Sequence, residues 1–245
     1  MTQPKDQGPS RLSKSPAVIA GMFDAIAGRY DFLNHLLSAG IDRRWRRQAI
    51  RSLSLTGRER VLDLCTGTGD LAIAAVDAQP GAAHVVGVDF SGAMLRMGQQ
   101  KLELRQLTAR VGLVRGDATR VALGDGSVDA VTIAFGIRNV ENTAAACAEM
   151  RRVLTPGGRV AILEFAIPTT PGVRAFYLWY FNQVLPRIGK IVSRHNAAYG
   201  YLPASVGAFA SPDEFVTILR HAGFQDVSAV PLTFGIVYLY TGHRG

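Results

Sequence analysis

Between residues 60 and 165, short β-branched-rich runs alternate with stretches of helical spacing, and no other feature of the chain constrains its fold so tightly. The runs are Arg60–Leu64, Ala83–Asp89, Val111–Gly116, Val128–Ala134 and Arg159–Phe165. Between most of them lie Leu71–Ala78, Ala93–Leu107 and Thr143–Leu154, whose apolar residues recur at helical intervals. Near-continuous apolar strands separated by helices imply a parallel sheet covered on both faces. Right-handed crossovers then make it a doubly wound α/β sandwich. Two later strand-like runs, Gln225–Val230 and Ile236–Thr241, bring the expected total to a mostly parallel seven-stranded sheet.

The flanks are less regular. Residues 1–15 mix Pro, Gly, Ser, Lys and Gln without apolar periodicity and read as a flexible tail ahead of one domain, 16–245. Residues 16–55 read as two or three short helices, with Val18, Ile19, Met22, Phe23 and Ile26 at helical spacing. Ala175–Leu185 is aromatic-rich and helical in pattern, with Pro186 and Gly189 to end it, whereas Arg194–Ala210 has no clear period. Ser211-Pro212-Asp213-Glu214 is a helix start that combines a serine cap, a proline at the first position and a glutamate three residues on. That helix is expected to run to about His221, with Gly223 in the left-handed position beyond it.

Of 245 residues, 48% are hydrophobic and 19% charged, enough apolar mass for a sizeable core. No apolar run reaches the roughly 18 residues of a spanning helix, and the polar start lacks the apolar segment of a secretory signal. Two cysteines, Cys65 and Cys147, make no disulfide scaffold and have no partners spaced for a metal. The expectation is a soluble cytoplasmic protein without a metal centre.

Of the net charge of +8, residues 1–60 carry +6, concentrated in Arg43, Arg44, Arg46, Arg47 and Arg51 on one helix. Such a cluster suits a solvated helix face, an anionic membrane surface or a nucleic acid. Nucleic acid would call for interleaved stacking aromatics, and only Trp45 lies within the cluster.

Strand Val61–Leu64 runs into Cys65-Thr66-Gly67-Thr68-Gly69-Asp70 and then a helix, so glycines let backbone N–H groups approach a ligand. Gly67, Gly69 and Ala72 satisfy a loose dinucleotide pattern, a weak signal alone. A pyrophosphate there would sit near Asp63 and Asp70, like charges at close range, whereas a sulfonium with an α-ammonium group would be drawn to them. Asp89 ends the second strand, where a carboxylate can accept bonds from ribose hydroxyls or serve as a helix-dipole acid before Ser91. Asp117-Ala118 follows the third strand, and Asp117 can take an adenine amino group or simply form a loop turn.

Val61–Asp70, Gly87-Val88-Asp89-Phe90-Ser91 and Gly116-Asp117-Ala118 together resemble a class I S-adenosylmethionine-dependent methyltransferase of Rossmann-like fold. Phe23–Asn34 with Asp42–Arg46, then Ala134-Phe135-Gly136-Ile137-Arg138-Asn139-Val140, resemble the menaquinone and ubiquinone C-methyltransferase family. Arg152–Gly158, Glu164-Phe165 and Tyr199–Ser205 extend the similarity in order, over roughly Phe23 to Gly242. The resemblance implies S-adenosyl-L-methionine as cofactor, held at Thr68, Asp89, Asp117 and Ala118, with Asp63, Gly67 and Gly69 shaping its loop. A further family contact, usually serine, falls on Ala134, which loses the hydroxyl but keeps the backbone.

The reaction so implied is C-methylation of a prenylated hydroquinone, most simply demethylmenaquinol, with a benzoquinol precursor of ubiquinone as the alternative. Arg138 is the first candidate to stabilise a phenolate, unless it pairs with a structural acid. Tyr201 and Tyr199 are candidate hydroxyl donors or ring walls. Tyr30 and Asp31 fall in a helical lid over the cofactor (16–55), with Asp31 a candidate proton acceptor and His195 another base. The segment 170–210 reads as an insertion facing substrate and membrane, its aromatic run Phe176–Phe181 either an apolar anchor or a buried helix. A prenylated substrate implies peripheral docking on an anionic membrane; a homodimer is possible and a nucleic-acid partner is not expected. Another small aromatic substrate, an RNA methyltransferase and a non-catalytic adenosyl-binding scaffold remain the competing classes.

Overall fold

Each β-branched run becomes a strand, because alternate side chains can be buried on both faces at once. The computed structural model describes residues 14–15, 17–25, 27, 38, 40–78, 84–180, 183 and 196–245, with the backbone alone for 196–200. A helix over 17–25 (α1) precedes α2, Asp42–Ser52. Then follow β1 (Arg60–Leu64), α3 (Asp70–Ala78), β2 (His84–Asp89), α4 (Gly92–Leu104), β3 (Val111–Arg115) and β4 (Val128–Ala134). A short 3₁₀ turn, Ile137–Asn139, leads to α5 (Thr143–Val153), β5 (Leu154–Phe165) and α6 (Pro171–Trp179). The last elements are α7 (Asn196–Gly207), α8 (Pro212–His221), β6 (Phe224–Leu232) and β7 (Val237–Arg244).

The seven strands lie in the order β3-β2-β1-β4-β5-β7-β6. Pairings from β3 through β5 are parallel, and only β7 runs antiparallel to its neighbours β5 and β6. The sheet has a core on each side. Leu62, Leu64, Val131, Ile133 and Ile162 pack with α5 and α8 through Met150 and Phe215. Val61, Ala130, Ala161 and Leu163 pack with α2 and α3 through Trp45, Ile50 and Val76. The expected doubly wound, mostly parallel sheet is the fold observed.

Three expectations shift. The strand expected from Arg159 begins at Leu154, so Pro156-Gly157-Gly158 lies within β5, beside a register shift against β4 between Val128 and Ala130. The aromatic helix starts earlier, with Pro171 at its first turn; its α-helical part is Pro171–Trp179, and Tyr180 and Gln183 beyond it are π-helical, while Pro186, Gly189 and His195 lie outside the described residues. Arg194–Ala210, expected to be irregular, contains α7, whose Gly200 and Pro203 leave no polar stripe to reveal it. The Ser211–Glu214 capping box and the left-handed Gly223 (φ +90°) are as expected. No helix among the described residues is long and apolar enough to cross a membrane.

Candidate active site

The strand tips of β1, β2 and β4 converge on one cavity of about 60 Å³. Beneath its glycine loop, buried Asp63 accepts bonds from the hydroxyls of Thr66 (2.6 Å) and Thr132 (2.7 Å). Desolvation outweighs those two bonds and pushes the carboxyl up to about 6. The loop turns through positive φ at Gly67 (+58°) and Gly69 (+81°), conformations that side-chain-bearing residues rarely adopt. Cys65 (φ +52°) and Phe135 (φ +59°) take the same region without that freedom, so both tips store backbone strain beside the cavity. Gly136 makes their approach possible, since a Cβ there would run into that of Cys65.

Asp89 is the carboxylate that lines the cavity. Its two oxygens accept the backbone N–H groups of Gly67 (2.8 Å) and Ser91 (2.8 Å). Burial raises its pKa against the pull of those two bonds. Gly67, Asp89, Ala118 and Ala134 all line the cavity. Asp63, Thr68, Gly69 and Asp117 stand beside it without lining it. Asp117 caps its own turn by accepting the N–H and hydroxyl of Thr119, both at 2.7 Å. Buried Thr68 accepts a bond from Lys101 Nζ at 3.0 Å.

The electrostatic expectation for the loop needs correction. Asp70 is paired with Lys101 (2.7 Å) and Arg46 (3.5 Å), and Asp63 is enclosed by hydroxyls, so neither faces the cavity. Among the described residues, the attraction for a positively charged ligand is left to Asp89.

Helix α1 closes the cavity from the N-terminal side with Ile19, Ala20 and Phe23. Asp24 fastens it there by accepting the Ser91 hydroxyl and the Ala93 N–H (3.0 Å). The serine bond is the main cause of the lowered Asp24 pKa. Apolar walls, a carboxylate and bare glycine backbone suit an adenosyl group. The volume does not: a ligand that size needs roughly 300 Å³ or more, so α1 must give way.

A second set of residues adjoins the first at Asn139, which lines the cavity and accepts the Tyr201 hydroxyl at 3.0 Å. Arg138 is 5% exposed, and its Nη1 donates to Glu164 Oε1 at 2.7 Å and to the Phe135 carbonyl. Its Nε donates to Ser205 Oγ at 3.3 Å and its backbone N–H to Glu164 Oε2 at 3.1 Å. The guanidinium also lies 5.5 Å from the Phe165 ring centre. Phe165 stacks on Phe135 (4.5 Å between centres), and Trp45 meets both rings edge-on. Burial raises the pKa of Tyr201, while Lys14 at the chain's N-terminal side is lowered first by burial and then by the Arg138 charge.

Arg138 and Tyr201 are thus brought together through Asn139. Asp31 and Tyr30 lie outside the described residues, as does the Tyr199 side chain. Arg138 does pair with a buried acid, the alternative left open by the sequence, and that acid is Glu164, whose signal was a carboxylate directly after the apolar run Val160–Leu163. Sequence reasoning passed over Asn139 and Ser205 as individual polar contacts. No group of three His, Cys, Asp or Glu side chains among the described residues could hold a metal ion.

Comparison with known proteins identifies the family and the fold. The ubiE/COQ5 methyltransferase family profile matches residues 11–244. A ubiquinone/menaquinone biosynthesis C-methyltransferase of Geobacter sp. (strain M21) is 45% identical over 233 residues, covering 95% of this chain and 99% of the relative. A demethylmenaquinone methyltransferase of Thermus thermophilus is 45% identical over 223 residues, covering 91% of this chain and all (100%) of the relative. Among solved structures, an S-adenosylmethionine-dependent methyltransferase from Aquifex aeolicus superposes with a TM-score of 0.61 at 16% identity, covering 82% of this chain and 89% of that one. The [4+2]-cyclase SpnF superposes with a TM-score of 0.66 at 16% identity, covering 92% and 94%. At that identity the likeness shows the fold alone, and a cyclase on it shows why chemistry must be argued from the site.

Proposed function

The chain belongs to the ubiE/COQ5 methyltransferase family, and from that premise we propose that it C-methylates a prenylated hydroquinone, converting a demethylmenaquinol to the menaquinol. It is an S-adenosylmethionine-dependent methyltransferase of quinone biosynthesis; the naphthoquinol ring is our choice over a benzoquinol precursor of ubiquinone. The observation that carries the reading is the adjacency of a carboxylate-tipped cavity, lined by Asn139 with Tyr201 bonded to it, and the buried Arg138–Glu164 pair next to Asn139 in the chain.

S-adenosylmethionine, when bound, supplies a methyl group already activated on a sulfonium, so the chain need not create an electrophile. Asp89 would hold the ribose hydroxyls, Asp117 and Ala118 the adenine edge, and Gly67, Gly69 and Ala134 would offer backbone. Thr68 would join through its backbone, because its hydroxyl is held by Lys101. Asp63 fixes the loop from below.

The remaining task is to make the ring carbon nucleophilic. Ionising a phenol of pKa about 10 at pH 7 costs about 4 kcal/mol. A charge-assisted hydrogen bond in a water-poor site is of the right size to offset most of that. Arg138 is suited to supply it: Nη1 and Nε are engaged, and the two N–H groups of Nη2 have no partner among the described residues. Glu164 holds the guanidinium in place, and Tyr201 with Asn139 orients a ring hydroxyl. Asp31 is proposed as the proton acceptor.

A prenylated substrate resides in a membrane, so we also propose peripheral docking on an anionic surface. Phe176 (62% exposed) and Trp179 (54%) of α6 stand out from the fold while Tyr177 between them is buried, which supports an anchoring face. Quinone profiling by mass spectrometry after gene deletion tests the reaction. The expected result is loss of the methylated quinone with build-up of a species one CH₂ lighter; an unchanged profile would overturn it.

A further inference from the structure

A second hollow, about 1040 Å³, lies between α2, α3 and α4 and has no part in the cavity described above. Six cations border it, Arg43, Arg46, Arg47, Arg51, Lys101 and Arg105, against two carboxylates, Asp70 and Asp77. Both carboxylates are engaged: Asp70 by Lys101 and Arg46, and Asp77 by Arg105 at 3.2 Å. The excess is therefore carried by Arg43, Arg47 and Arg51, which are exposed and have no ion-pair partner among the described residues.

Their spacing is the telling feature. Four residues apart, they form one row along α2, and like charges at that spacing cost a helix about 0.2–0.5 kcal/mol per pair. The helix tolerates the row because Trp45, Ala49, Ile50 and Leu53 anchor its other face in the core. An anion settling along the row would remove the repulsion, and the planar guanidinium fork matches phosphate oxygens. Ile50, Leu55 and Ile73 floor the hollow but are buried, so the contact surface is the row itself, whose eight-residue span of about 12 Å can meet neighbouring headgroups of a bilayer where a single free ion cannot. Among the described residues, no aromatic side chain lines it on which a nucleic-acid base could stack.

We propose that this cleft seats the phosphate of an anionic phospholipid headgroup, so that the protein meets the bilayer in one orientation. The inference rests on the membrane-docking reading above and adds to it a defined site with Arg43, Arg47 and Arg51 as phosphate ligands.

Cosedimentation of the full chain with phosphatidylglycerol-containing vesicles and with pure phosphatidylcholine vesicles tests both. Two charge-matched doubles are compared, Arg47→Glu with Arg51→Glu in the cleft and Arg44→Glu with Arg58→Glu outside it; a melting curve checks that each folds. With each basic side chain near the surface contributing about 1 kcal/mol, the cleft double should lose about tenfold or more in affinity for anionic vesicles and the control far less. Arg47→Lys with Arg51→Lys should retain most of the binding. Equal losses in the two doubles would overturn the cleft while leaving peripheral docking standing, as would no loss in either. Absence of wild-type binding to anionic vesicles would overturn both. Calorimetric binding of inorganic phosphate that is lost in the cleft double, with no difference between the two doubles on anionic vesicles, would overturn the lipid assignment in favour of a free anion.

Discussion

Two buried carboxylates end strands of the same sheet, Asp63 in β1 and Glu164 in β5, and different chemistry holds them. Asp63 is met by two neutral hydroxyls, and its burial leaves the acid pushed up to about 6. Glu164 is met by a guanidinium and by the backbone N–H groups of Arg138 and Phe165. Hydroxyls satisfy a carboxylate geometrically without neutralising it, so Asp63 can brace the glycine loop and do little else. A guanidinium neutralises Glu164 and still holds the N–H groups of its Nη2 beside the cavity, donors for a substrate phenolate.

That contrast can be broken most forcefully at β5. Glu164→Ala leaves the Arg138 charge buried and uncompensated and should cost about 3–5 kcal/mol of stability, read by denaturant unfolding. Asp63→Asn, which keeps hydrogen-bonding capacity and removes the unpaired charge, should be neutral or stabilising at pH 7; a loss as large as that at Glu164 would erase the distinction. Next in size, Arg138→Lys keeps the charge but not the fork and should lower kcat by about 10²–10³ with little change in cofactor affinity. Steady-state kinetics and calorimetry separate those two effects.

The pH dependence of stability sharpens the comparison further. The folded Asp63 carboxyl keeps its proton to about pH 6, above its ordinary value of 3.8 in the unfolded chain. As pH rises through that window the unfolded chain ionises first, so this group's contribution to stability falls, by about 3 kcal/mol in all. The difference between wild type and Asp63→Asn should therefore grow between about pH 4 and 6, and a flat difference would contradict it. Asp89→Asn should weaken S-adenosylmethionine binding by about 10–100-fold, as expected for losing hydrogen bonds to a charged acceptor, while leaving the melting temperature nearly unchanged. The smallest effect is expected at α1, where Phe23→Ala should speed cofactor association a few-fold by easing displacement of the helix from the cavity. Stopped-flow binding would show it.

Local signals carried much of this into the amino-acid sequence. Val128–Ala134 and Arg60–Leu64 are strands at the expected residues, because burial on both faces demands an unbroken apolar run. The Ser211–Glu214 cap is legible for a similar reason, since its partners lie three residues apart. Helix α7 is illegible because Gly200 and Pro203 are poor helix formers and no polar stripe marks a buried side. The site follows the same division. Gly67, Asp89, Ala118 and Ala134 are fixed by their place at strand tips and meet in one cavity. The pairings that decide the roles of Asp63, Asp70 and Arg138 are made with Thr132, Lys101 and Glu164, 69, 31 and 26 residues away, and no local pattern marks them. The charge of Asp70 was visible in the sequence, but the salt bridges that turn it from the cavity were not.

The most direct test of the central claim uses the purified chain, methyl-¹³C S-adenosylmethionine and a short-tailed demethylmenaquinol, with NMR of the extracted product. Label is expected on a ring carbon, with incorporation reduced about 10²-fold or more in Arg138→Lys. Label on a phenolic oxygen, or cofactor binding without incorporation into any quinol, would contradict that claim.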